Sequence, residues 1–285
     1  MKIGAVYPQT EIAGDTDALR RFVLAVEELG FDYLLAYDHV VAAPHDREPK
    51  LAGPYTEQHP FHDPFALFAY AAGITERLEF ATGVLILPQR QTVLVAKQAA
   101  DVDILSKGRL RLGVGSGWNY VEYHALGQDF HTRGRRLDEQ IGLLRELWSS
   151  SLVTFEGQFD RIDRGLLNPR PRRAIPIWMG GWSEPALRRA ARLGDGFIFA
   201  GDSKLAEAGW TRLRGHLAEV GRPEADFGRD LIVRLTATAG ETADNIKVWR
   251  DLGGTHACIS TMEKGFSSVE AHIELLAHTI ELVGE

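Results

Sequence analysis

The chain has 285 residues, of which 45% are hydrophobic and 25% charged, with a formal net charge of −7. That is enough apolar material for a sizeable core in one large or two small domains. No basic block or tail stands out, which argues against nucleic acid and anionic membrane surfaces as partners.

The first strand is read at Ile3 to Tyr7, ended by Pro8. Gly14-Asp15-Thr16 opens a helix in which Leu19, Phe22, Val23, Val26 and Leu29 recur at helical spacing, and Gly30 stops it. Phe31 to Tyr37 is a second strand ending in Asp38-His39. A long loop, 40–62, carries four prolines and exceeds most connections in length, which marks it as functional or disordered. Asp63-Pro64 starts a second helix. The third strand is Leu78 to Leu87, followed by a helix over Gln91 to Leu105 with Val93, Val95, Ala99, Val102, Ile104 and Leu105. A fourth strand, Leu110 to Val114, releases the chain through Gly113, Gly115 and Gly117 into Trp118 and Asn119. Leu137, Ile141, Leu144 and Trp148 mark one face of a fourth helix.

The segment 149–174 breaks this rhythm and reads as an insertion. Within it a hairpin turns at Glu156-Gly157, with Gln158 to Asp160 as its second arm. Alternation then resumes. Ile175 to Met179 is a strand, and Ser183 caps a helix with Pro185 in its first turn. Phe197 to Ala200, Leu231 to Thr238 and His256 to Ser260 are strands, each followed by a helix, the last of them capped by Ser267 with Glu270. Eight strands, each trailed by a helix, imply parallel pairing and a single (β/α)8 TIM barrel with loop insertions over residues 1–285. A doubly wound sheet would place its glycine fingerprint in the first turn, where Tyr7-Pro8-Gln9 offers none.

A barrel gathers its chemistry at the C-terminal ends of the strands. There lie Asp38 and His39, then Gly83 and Val84, then Ser116, Gly117, Trp118 and Asn119, then Gly180 and Gly181. Glycines after a buried strand let backbone amides approach a ligand, and equally make a plain turn beneath a packed Trp. His39 at a strand end can carry a proton, or can merely pack while Asp38 holds the loop. Gly180-Gly181-Trp182-Ser183 opens a helix, as a phosphate site or an ordinary turn does. His59 and His62 lack the spacing that would fix a metal, so none is expected. His272 and His278 are placed on an exposed helix face. The lone Cys258 cannot form an internal disulfide, MKIGAVYPQ turns polar too early for a signal peptide, and no run of about 18 apolar residues exists. These features point to a cytoplasmic protein.

Five pieces in this order carry a resemblance: VEELGFDYLLAYDH (Val26 to His39), ATGVLILPQRQ (Ala81 to Gln91), GRLRLGVGSGWNYVEYHALG (Gly108 to Gly127), RGRRLDEQIGLLRELW (Arg133 to Trp148) and PIWMGGWSEPALRRAARLGDGF (Pro176 to Phe197). Together they resemble the bacterial luciferase-like monooxygenase superfamily, barrels that bind FMN or the deazaflavin F420. The resemblance implies a non-prolyl cis peptide at Gly83-Val84 backing the ring. It places Ser116, Gly117 and Asn119, with Trp118 beside them, along the cofactor chain, and Gly180 and Gly181 at its phosphate. Asp38-His39 resembles the pair of the F420-using branch, with His39 as the catalytic residue beside the ring and Asp38 in the cofactor site. That branch's sugar-phosphate dehydrogenases carry a Trp soon after this His and a Glu where Trp118 stands. Both are missing here, which argues against glucose 6-phosphate and leaves the general acid to Glu122 or Tyr120. The implied reaction is hydride transfer between F420 and a small organic substrate over the ring, with Trp118, Tyr120, Tyr55 and Phe61 suggesting an apolar or aromatic pocket. The alternatives are an FMN-dependent monooxygenase served by a separate reductase, and a carrier or sensor without catalysis. A homodimer is expected from the same resemblance.

Overall fold

The structure, a computed structural model, describes residues 1–234 and 238–284. Its strands are β1 (Lys2–Val6), β2 (Tyr33–Ala36), β3 (Glu79–Thr82), β4 (Leu85–Ile86), β5 (Leu110–Gly115), β6 (Val153–Glu156), β7 (Arg161–Gly165), β8 (Ile177–Gly180), β9 (Gly196–Gly201), β10 (Gly228–Arg234) and β11 (His256–Ser260). Parallel pairing runs β3-β2-β1-β11-β10-β9-β8-β5, and β5 pairs back onto β3, so the sheet closes as a (β/α)8 barrel in which β4 continues the third strand. The helices are α1 (Gln9–Ile12), α2 (Thr16–Glu28), α3 (Pro64–Ile74), α4 (Thr92–Leu105), α5 (Tyr120–Ala125), α6 (Arg133–Ser149), α7 (Glu184–Leu193), α8 (Ser203–Glu219), α9 (Ala239–Asp251) and α10 (Val269–Gly284).

Strand alternation sorts the core into two layers. Leu34 and Ala36 of β2, Phe197 and Phe199 of β9, and Ala257 and Ile259 of β11 face the helices. Their sequence neighbours Tyr33, Leu35, Ile198 and Cys258 fill the barrel with Val6, Trp178 and Ile232. Helix starts follow local chemistry. Asp15 accepts from the amides of Asp17 and Ala18, and Asp63 from those of Phe65 and Ala66.

The structure corrects several sequence expectations. The third strand is two short strands, because a bulge interrupts it. The hairpin's second arm is β7 and not 158–160, because the Glu139 carboxylate accepts the amides of Gln158, Phe159 and Asp160 and makes that stretch the turn. The last helix takes its cap from Ser268, whose hydroxyl accepts from the Ala271 amide. His272 is fully buried, its Nδ1 2.8 Å from the Thr261 hydroxyl. On α4, Val95, Ala99 and Val102 face the core, while Val93, Ile104 and Leu105 point outward. The expected strand Leu231 to Thr238 runs through 235–237, which lie outside the described residues.

A polar plug closes the N-terminal half of the barrel. Arg111 lies over the rings of Tyr33 and Trp178, at 4.6 and 4.2 Å. Its Nη2 donates to Asp230 at 2.9 Å, and the Tyr33 hydroxyl donates to the other carboxylate oxygen at 2.7 Å. His256 packs edge-on against Trp178. Burial, with Arg111, Lys2 and the N-terminal amine nearby, lowers the His256 pKa from 6.5 to about 3.

Two outcomes are expected. Asp230→Ala strands the Arg111 charge in the interior and costs about 3–5 kcal/mol in urea unfolding. The unfolded chain protonates His256 near 6.5 and the folded chain only near 3, so the unfolded state binds the extra proton between those values. Stability attributable to His256 therefore falls as pH drops through that window, by at most about 1.4 kcal/mol per unit. His256→Gln should flatten that limb of the stability–pH curve relative to the parent.

Candidate active site

The open end of the barrel is shaped by the break in its third strand. Between the pairs Ala81–Arg111 and Leu85–Val114, the third strand advances four residues while β5 advances three. The extra residue sits at Gly83-Val84, whose peptide bond is cis. Val84 projects between two neighbouring strands. A Cβ on Gly115 or on Gly180 would come within 2.6 or 2.7 Å of its methyls, so both strands must carry glycine where they pass it. Val84 thereby becomes part of the floor of a cleft of about 510 Å³. Asp38, His39, Gly83, Val84, Ser116, Gly117, Trp118, Asn119, Gly180 and Gly181 line it, with Tyr55 and Glu122, whereas the candidates Tyr120 and Phe61 are not among its lining residues.

Lining the cleft is not the same as being free to hold a ligand. Asp38 is 3% exposed, and both its oxygens are taken. Oδ2 accepts from the Ile86 amide at 2.9 Å, just beyond the bulge, and Oδ1 from Arg90 Nη2 at 2.6 Å. Arg90 reaches on to Asp63 at the end of the long loop. Burial pushes the Asp38 carboxyl up, against the pull of Arg90 and the Ile86 amide. Asn119 is also engaged: Oδ1 caps α5, and Nδ2 donates to the Val41 carbonyl at 3.3 Å. Gly117, at φ +63, turns the chain beside Ile86.

His39 stands at one end of the cleft, edge-on to Phe61, Tyr55 and Trp118 at centroid distances of 4.8, 5.4 and 5.6 Å. Behind it lies Glu122, whose side chain is 2% exposed and approaches His39 Nδ1 at 3.2 Å. The same carboxylate accepts from the amides of Val40 and Val41, at 2.7 and 3.2 Å. Tyr120 turns away, its hydroxyl donating to the Pro49 carbonyl. Trp118 lies flat against Gly53. The segment 118–122 thus fastens the loop 40–62 over His39, and Tyr120 does not point its hydroxyl at the cleft.

The other end is built differently. Gly181, at φ +133, leads to Ser183, which caps α7. Arg133 is the Lys or Arg side chain that lines the cleft among the described residues. Its Nη1 donates to the Phe130 carbonyl at 2.8 Å. Sequence periodicity missed Arg133, because it precedes the apolar face of α6 and its approach to α7 is a tertiary fact. Tyr37 and Ser183 were missed as lining residues for the same reason, although Ser183 was legible as a cap. A larger cavity of about 940 Å³ lies at the opposite end, around Arg145, Trp148, the 168–176 stretch and Asp195. Two of its arginines are already paired, Arg145 with Asp195 and Arg173 with Asp103, and no histidine or carboxylate dyad accompanies them.

A profile of the family described as luciferase-like monooxygenase matches residues 3–283. The chain belongs to the luciferase-like monooxygenase family. An uncharacterized protein of Mycobacterium tuberculosis is 33% identical over 245 residues, 82% of each chain. The F420-dependent glucose-6-phosphate dehydrogenase of Intrasporangium calvum is 31% identical over 242 residues, 80% of this chain and 69% of its own. Among solved structures, an F420-dependent secondary alcohol dehydrogenase in complex with an F420-acetone adduct superposes with a TM-score of 0.81 at 17% identity, covering 99% and 98% of the two chains. Monooxygenase RslO1 of Streptomyces bottropensis gives 0.79 at 19%, covering 99% of both. At these identities the structural likeness establishes the luciferase-like fold alone.

Within this luciferase-like barrel the fastening of the loop is testable. Tyr120→Phe should lower global stability by about 1 kcal/mol at most. It should sharply increase limited proteolysis within residues 40–62, read by mass spectrometry of the fragments.

Proposed function

We propose that the protein is an F420-dependent oxidoreductase acting on a small, uncharged organic substrate. The observation that carries this reading is one cleft whose lining joins a histidine among aromatic rings, an arginine, a capped helix start and a glycine-flanked valine. The donor set fits the cofactor. Arg133 with the 180–183 turn suits an anionic tail, and Val84 offers a flat apolar backing for a ring. The relatives that act with F420 support the choice between cofactors.

When bound, F420 supplies a carbon centre that gives or accepts hydride. The chain's own residues do the rest. His39 takes or returns the proton that accompanies the hydride. Tyr55, Phe61 and Trp118 exclude water and receive an apolar or aromatic body. Asp38 acts through the backbone it holds, and Asn119 through the loop and the α5 start. No Lys or Arg among the described residues lines the aromatic end, so a sugar phosphate has no counter-charge there. The second reading, an FMN-dependent monooxygenase with a separate reductase, is supported by the monooxygenase fold neighbours. A homodimer would cover the apolar outward residues Tyr70, Val93, Leu94 and Leu105 of α3 and α4.

Parallel fluorescence titrations with F420 and FMN test the reading. Saturable binding of F420 is expected, weakened about tenfold or more in Arg133→Ala, the loss of ~1.5 kcal/mol expected for one charge-assisted hydrogen bond. Binding of FMN alone, or of neither, overturns the assignment. Glucose 6-phosphate should give no turnover with the F420-loaded protein.

A further inference from the structure

We propose that Glu122 is a positioning residue that holds His39 as its Nδ1–H tautomer, so that Nε2 is the nitrogen offered to the cleft. The inference rests on the assignment of the proton step to His39.

Glu122 Oε1 receives the amides of Val40 and Val41 at 2.7 and 3.2 Å. Backbone amides can only donate, so this oxygen is an acceptor. His39 Nδ1 lies 3.2 Å from Oε1 and 3.3 Å from Oε2, between the two oxygens. A bare ring nitrogen there would set its lone pair against theirs, whereas a protonated Nδ1 donates to them. The hydrogen bond made by one ring nitrogen decides which nitrogen carries the proton. Turning the ring over would replace Nδ1 by carbon at the carboxylate, and the edge contacts with Phe61, Tyr55 and Trp118 hold the ring in place.

Glu122 is itself well fixed. It is 1% exposed, and the Asn119 side chain caps the short helix that carries it. Among the described residues no Lys or Arg pairs with it. Asp38 lies within electrostatic reach of Glu122 and is itself paired with Arg90. The carboxylate is balanced by N–H donors alone, and by the imidazolium when His39 gains a second proton. Uptake is at Nε2, the Nδ1 proton stays in place, and release is the reverse. In this arrangement Glu122 serves only as an acceptor. It therefore acts through His39 and is not the acid that touches substrate.

The tautomer is read without cofactor or substrate. Ligand-free protein labelled with 15N-histidine is examined by two-bond 1H–15N correlation at a pH where the imidazole is neutral, and His39 is assigned by its absence from the spectrum of His39→Gln. The expected pattern is a protonated Nδ1 and a bare Nε2. In Glu122→Gln the amide oxygen serves the Val40 and Val41 amides, the NH₂ group faces Nδ1, and the two nitrogens should exchange roles. A parent spectrum showing Nε2–H overturns the proposal, and so does an unchanged Nδ1–H in the folded variant. If Glu122→Gln does not fold, as judged by circular dichroism, the parent spectrum alone decides. Because F420 is absent, failure of this test is separate from failure of the cofactor assignment, which the titrations read.

Discussion

One buried carboxylate holds the candidate site together. Asp38 ends β2, accepts the Ile86 amide beyond the bulge, and pairs with Arg90, which in turn holds Asp63 where the long loop rejoins α3. The end of β2, residues 86–90 and the start of α3 are thus joined through one carboxylate and one guanidinium. A charge at this depth is tolerable only because guanidinium and amide replace the water it lost. The position of His39, the next residue in the chain, follows from that arrangement.

The same economy governs the rest of the cleft. Polar side chains that lie along it are largely committed to the protein: Asn119 to a helix cap and a carbonyl, Glu122 to the loop amides and His39. What the described residues leave for a ligand includes backbone at the glycines, the Ser116 side chain, an edge of the His39 imidazole, aromatic faces and the Arg133 guanidinium. Such a surface separates its tasks. On the proposed reading, anion recognition falls to Arg133 and proton handling to His39, both of which line the cleft of about 510 Å³.

Much of this was legible in the sequence because it is local. The helix starts at Asp15 and Asp63 and the order of strands and helices follow from neighbours a few residues apart. The cleft-lining candidates were legible as well, since a barrel sends every strand end to one rim. The misreadings have long-range causes. Glu139 reaches across to define the hairpin turn, and Thr261 bonds His272 in the interior. The Gly83-Val84 cis peptide was anticipated from the resemblance, but not that it would divide the third strand in two. Asp38 shows the limit most clearly: its presence at the rim was readable, but its partners lie 48 and 52 residues away.

The loop 40–62 is hydrogen-bonded to one short stretch, Asn119 to Glu122, while its Tyr55 and Phe61 pack on His39 and the barrel interior. On the proposed reading the loop bears on substrate choice, and the valine floor, on other strands, bears on the cofactor. Exchanges within the loop that spare Tyr55, Phe61 and the Val40 and Val41 amides can reshape what enters without disturbing His39 beneath. A lineage built on this plan can diversify its substrates while keeping its cofactor, provided the anchor at Asn119 to Glu122 is inherited with whatever roof it carries.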